Sequence, residues 1–134
     1  MTTATESQIN YINSLKETYD LLSSVKKSYD RAIDKGREIP TYTSRFPMAI
    51  RHDGLNQQRL DFANGTSYAD IIEAREKVIA FIQAHNVETT EQASWMIDGL
   101  KNNSFNFLKW AFEQVGYTMT SEIDDYKTNW TINL

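Results

Sequence analysis

The stretch Thr5–Gly36, TESQINYINSLKETYDLLSSVKKSYDRAIDKG, decides the fold. Thr5 is placed to cap a helix, and Gln8, three residues on, to return the hydrogen bond in a capping box. Ile9, Ile12, Leu15, Tyr19, Leu22, Val25, Tyr29 and Ile33 then recur at gaps of three and four, which keeps them on one helical face. Gly36 supplies the stop, and Pro40 follows it. Read this way, the stretch is one helix of roughly 45 Å at about 1.5 Å per residue, and every later element packs along it.

Residues 1–4 read as a frayed tip, and both prolines fall in an extended crossing segment, 37–53. The stretch Met48–Phe62 has two readings. Asp53-Gly54 is a two-residue hairpin signal, whereas Asp53 can also cap a short helix ended by Asn64-Gly65; the lack of clean alternation favours the helix. Ser67 and Asp70 cap a helix whose stripe is Tyr68, Ile71, Ile72, Val78, Ile79 and Ile82. Thr89 and Gln92 repeat the first cap ahead of Trp95, Met96 and Leu100. Ser104 opens a further helix with Phe105, Leu108, Phe112 and Val115 on one side, closed by Gly116. Tyr117–Leu134, rich in Thr, fits either short strands or a helix around Asp124-Asp125-Tyr126. The fold class is therefore mainly α: a single compact helical domain with one long N-terminal helix and room for a short β-hairpin or C-terminal strands. Its predicted core includes Ile12, Leu15, Leu22, Ile72, Ile79, Ile82, Trp95, Leu108 and Phe112.

A chain of 134 residues, 40% hydrophobic, is long enough for one domain with its own core. It has no cysteine, so thiol chemistry and disulfides are excluded. MTTATES lacks the basic start and apolar run of a secretory leader, and no apolar run approaches the ~20 residues that cross a bilayer. The location expected is the cytoplasm of a host cell. Charge is unevenly placed: Lys26–Arg59 holds eight basic and four acidic residues, +4, while the net of −4 leaves −8 on the rest.

Two stretches resemble halves of a small helical module found mostly in phage and bacterial proteins. The module opens T-x-x-Q-x-x-Tyr/Phe-Ile-x-x-Leu, matched by Thr5, Gln8, Tyr11, Ile12 and Leu15. It continues T-x-x-Gln/Glu-Ala-Ser-x-x-Ile-x-x-Leu, matched by Thr89, Gln92, Ala93, Ser94, Ile97 and Leu100. Here 73 residues separate Leu15 from Thr89, more than in the module. The resemblance implies a phage or mobile-element setting near DNA metabolism and carries no catalytic residues.

The only histidines are His52 and His85, and no G-x-S-x-G elbow, metal-spaced ligand set or phosphate-cradling glycine loop is present. His85, at a helix end, reads as an imidazolium favoured by the helix dipole. The expectation is a protein that is not an enzyme and needs no cofactor or metal. What remains is the basic window. Lys27, Arg31 and Lys35 are spaced to line one helical face, followed by Arg37, Tyr42, Arg45, Phe46, Arg51 and His52, cations and aromatics of the kind that meet phosphates and bases. The same cations also suit a solvated helix end. Three partners follow from this reading. The first is a protein or nucleoprotein complex of nucleic-acid metabolism or host defence, bound as an anti-CRISPR or anti-restriction inhibitor binds. The second is nucleic acid directly, through Lys26–Arg59. The third is a second copy, in a structural phage assembly joined along the long helix with Tyr11, Tyr19 and Tyr29 as anchors.

Overall fold

The computed structural model describes residues 2–39, 48–53, 56–62, 66–124 and 127–134, with the backbone alone at 48–53, 56–59, 105, 124 and 127. Among the described residues five helices and four strands follow in the order α1 (Glu6–Glu17), α2 (Ser23–Asp34), β1 (Met48–Asp53), β2 (Asn56–Phe62), α3 (Tyr68–Ala84), α4 (Thr90–Asn102), α5 (Phe105–Gln114), β3 (Thr118–Asp124) and β4 (Lys127–Asn133). The chain is mainly helical, with a small sheet built from its middle and its end.

The long N-terminal helix is not continuous. It breaks at Thr18–Leu22, and Leu22 takes a left-handed conformation at φ 56°. Such a residue costs about 1–2 kcal/mol without glycine, so the break needs support from elsewhere. Arg75 on α3 supplies it. Its Nε donates to the Leu21 carbonyl at 2.5 Å, and its guanidinium also pairs with Asp20 and Glu76. A continuous helix would give that carbonyl to Val25. The break also buries Leu21 to 3% exposure and lets the Tyr19 hydroxyl donate to Asn103 Oδ1 at 2.8 Å. The longest helix is consequently α3, 17 residues.

The predicted caps form. Thr5 Oγ1 accepts from the Gln8 amide and Gln8 Oε1 from the Thr5 amide; Ser67 caps through Asp70, and Thr89 through Gln92. At α4 the return bond differs, because Gln92 Oε1 takes the Glu88 amide instead. The two Thr-x-x-Gln helices pack side by side despite their separation in sequence. Residues 2–4, expected to fray, fasten them: Thr3 bridges Thr89, the Ala4 amide donates to the Glu88 carbonyl, and the Thr90 amide to the Thr2 carbonyl.

Residues 48–53 and 56–62 pair as antiparallel strands, which corrects the helical reading. Their pairing slips between Ala49 and Arg51, so one extra residue sits in β1 and disrupts the alternation that a strand needs to be recognised. The C-terminal residues form a second hairpin, β3 with β4. The hairpins join through a parallel β2–β4 pair, giving the order β1-β2-β4-β3. Leu60, Phe62, Met119 and Ile132 turn one face of this sheet into the helical core, where they meet Ile12, Leu21, Val25, Ile71, Val78, Ile82, Met96, Phe107, Leu108 and Phe112. Of the predicted core, Leu15, Leu22 and Ile79 are only partly buried, and Trp95 is 39% exposed. Met96 takes the inward position instead, and Trp95 lies at the rim against the Phe107 and Trp110 rings. Gly99 is what lets α5 come so close: a Cβ there would stand 2.2 Å from the Phe107 ring.

Candidate functional site

The basic face belongs to α2. This helix has no side-chain N-cap; it is held by its apolar side, with Val25 and Ala32 buried and Tyr29 packed on the core. Its C-terminus closes as a Schellman motif: the Arg37 amide donates to the Ala32 carbonyl at 2.9 Å and the Gly36 amide to Ile33 at 3.1 Å, with Gly36 at φ +61°. That turn fixes the backbone of Arg37 at the end of the helix.

With 3.6 residues per turn, burying Val25 and Ala32 leaves Ser24, Lys27, Ser28, Arg31 and Lys35 along one flank of the helix, and all five are exposed. Lys26, one residue from Lys27, is committed elsewhere: it pairs with Asp30 at 2.7 Å and stands 5.9 Å from the Tyr29 ring centre. Lys27, Arg31, Lys35 and Arg37 have no ion-pair partner among the described residues. Arg31 and Arg37 also line a shallow cleft of about 270 Å³ with Ser28, Ala32 and Glu38. The result is a stripe of cations interleaved with hydroxyls, suited to a row of anionic oxygens. Cations near a helix C-terminus are favoured by the dipole in any case; the hydroxyls, and the lack of an ion pair to these cations among the described residues, are what set this face apart.

Thus four of the sequence-predicted residues are brought together. Arg51 and His52 lie in β1, where the backbone alone is described, and Tyr42, Arg45 and Phe46 lie outside the described residues. The proposed anchors of a long-helix interface are not available as a row. Tyr19 and Tyr29 pack on the protein's own core, and only Tyr11 is open, at 44% exposure.

A second polar feature had no signal in the sequence. Lys16, 7% exposed, sends its ammonium to the carbonyls of Gln83 and His85 at the end of α3. Burial lowers its pKa from the ordinary lysine value. Beside it is a cleft of about 180 Å³ lined by Ile9, Ile12, Asn13, Lys16, His85, Asn86 and Val87. His85 does not behave as the dipole-stabilised imidazolium expected. Its ring packs against both Phe81 and Trp110 at 5.5 and 5.0 Å, and burial, then the Lys16 charge, push its pKa below the usual histidine value. These groups fasten α1 to α3. Among the described residues, no group of three or more His, Cys, Asp or Glu is placed to hold a metal ion, and no helix is long and apolar enough to cross a membrane. Compared with protein-family models, curated proteins and solved structures, the chain matches none.

Proposed function

We propose that the protein is a non-catalytic, phage-type binding protein that engages a nucleoprotein complex of nucleic-acid metabolism or host defence inside the host cell, in the manner of an inhibitor. The observation that carries this reading is the uncommitted cationic stripe of α2 on a chain that is otherwise net acidic. A nucleoprotein presents both phosphates and basic protein surface, and a molecule split between +4 and −8 complements both at once. The phage-like Thr-x-x-Gln and Gln-Ala-Ser stretches supply the setting.

The test compares the native protein with a Lys27→Ala/Arg31→Ala/Lys35→Ala variant, each immobilised and exposed to host lysate with and without nuclease. The native protein is expected to retain a complex that nuclease weakens and the triple variant fails to hold. Retention unchanged by both treatments would overturn the reading. Direct nucleic-acid binding is the second reading, favoured by Ser24 and Ser28, whose hydroxyls add phosphate donors to the same stripe. It requires free DNA or RNA to bind with a log-affinity slope against log salt of about −0.9 per duplex phosphate neutralised, roughly −0.7 on a single strand.

A further inference from the structure

The two edges of the sheet differ in how they are protected. β1 carries the register shift at Ala49/Arg51 and places Arg51 and His52 along its length. β3 pairs with β4 in seven unbroken steps, from Thr118↔Asn133 to Asp124↔Lys127, without a shift. Its sequence, TMTSEID, contains no Lys, Pro or Gly. Natural edge strands are normally blunted by charged side chains, lysine above all, by proline, a bulge or a covering element, because an open ladder of amides and carbonyls recruits another strand; of these β3 has only the charges of Glu122 and Asp124, the latter at its end. Among the described residues nothing pairs with the outer side of β3.

The side chains fit the same conclusion. Met119 is buried, and by alternation Ser121 and Ile123 share its face of the sheet. Ile123 is 76% exposed, the most open large hydrophobic side chain of the described residues. Thr118, Thr120 and Glu122 occupy the other face and are exposed.

We propose that β3 is a dimerisation edge, pairing antiparallel with β3 of a second copy about a two-fold axis at Ser121, so that two four-stranded sheets become one. The register follows from the residues. Centring on Ser121 uses all seven positions and sets Ile123 opposite Met119 of the second copy, extending the apolar row of Phe62, Ile132 and Met119. It sets Glu122 opposite Thr120, so no like charges face each other. Centring one residue later would oppose two copies of Glu122, and centring one earlier would leave Ile123 outside the paired strands. This surface is separate from the α2 stripe and does not depend on the function proposed for it.

The absence of cysteine makes the register directly testable. Residues directly opposite in an antiparallel pair lie about 4.5–5.5 Å apart at Cα, within disulfide reach. Under mild oxidation Ser121→Cys is expected to give a covalent dimer of twice the 15.5 kDa chain. Thr118→Cys is not, since residue 118 faces residue 124 of the second copy. Ile123→Lys places a lysine on the edge at an exposed position; with its circular dichroism unchanged, it should sediment as a monomer where the native chain's mass rises with concentration. A native mass that stays at 15.5 kDa at every concentration tested, equal cross-linking at 118 and 121, or a dimer that survives Ile123→Lys would each overturn the proposal.

Discussion

α1 and α2 are adjacent in sequence and equal in length, 12 residues each, yet the fold uses them differently. α1 is committed at both ends. Its start is boxed by Thr5 and Gln8 and clipped to α4 through Thr3, and its last turn sends Lys16 into the α3 terminus. α2 has no side-chain cap, rests on one apolar side, and, with Lys26 paired to Asp30, leaves Lys27 and Arg31 without an ion pair among the described residues. Both helices carry lysine, Lys16 on α1 and Lys26 and Lys27 on α2, so residue type does not separate a structural cation from an available one. What separates them is the carbonyl ends of α3, which lie beside one helix and not the other.

The largest effect expected to test this contrast is a pair of core-type substitutions. Ile12→Ala, at a site 3% exposed, should cost about 2–5 kcal/mol, whereas Ile33→Ala, 52% exposed on α2, should stay within about 0.5 kcal/mol. Urea melts of the two variants read this directly, and equal losses would break the comparison. Next is the joint between the helices. Arg75→Met removes the donor from the Leu21 carbonyl, and a hydrogen bond from a charged group is worth about 1.5–3 kcal/mol. The pairs with half-exposed Asp20 and Glu76 should add little. If thermal unfolding of Arg75→Met matches that of the native chain, the break is held by something else.

The smallest effect is on pH dependence. Because the folded-state pKa of His85 lies below 6.5, the unfolded chain binds the proton first as pH falls. Stability should therefore decline on acidification from around 6.5 down through that folded pKa, and the His85 contribution to the slope should fade as pH rises past 6.5. His85→Gln should flatten the decline in this window. Lys16→Met should move the imidazole titration, followed by NMR, part of the way back, since burial is the larger cause and remains. No movement would remove Lys16 from the account.

The caps were legible in the sequence because a capping box is local: Thr5 with Gln8, and Ser67 with Asp70, lie three residues apart. The break at Thr18–Leu22 was not, since it contains neither glycine nor proline and depends on Arg75, far along the chain. The first hairpin was announced by Asp53-Gly54 but masked by the bulge beside Ile50, which displaces the side-chain alternation that pattern reading relies on. At the candidate surface, Lys27, Arg31 and Lys35 were readable from spacing alone. The commitment of Lys26 to Asp30 was open to the same spacing rule, whereas the burial of Lys16 required knowing that α1 crosses the end of α3.

The parallel seam between β2 and β4 has a kinetic consequence. Each hairpin closes a short loop and can form early, in about microseconds. The seam pairs Leu60 with Trp130, so it joins the middle of the chain to its end and must enclose α3, α4 and α5 while doing so. Contacts of such long sequence separation are won late, after the entropy of closing the intervening chain has been met. Until the seam closes, the apolar faces of Leu60 and Ile132 belong to two separate hairpins, each with an unsatisfied edge. The slow step of folding and the window for strand exchange between nascent chains thus fall at the same place, the middle of the sheet.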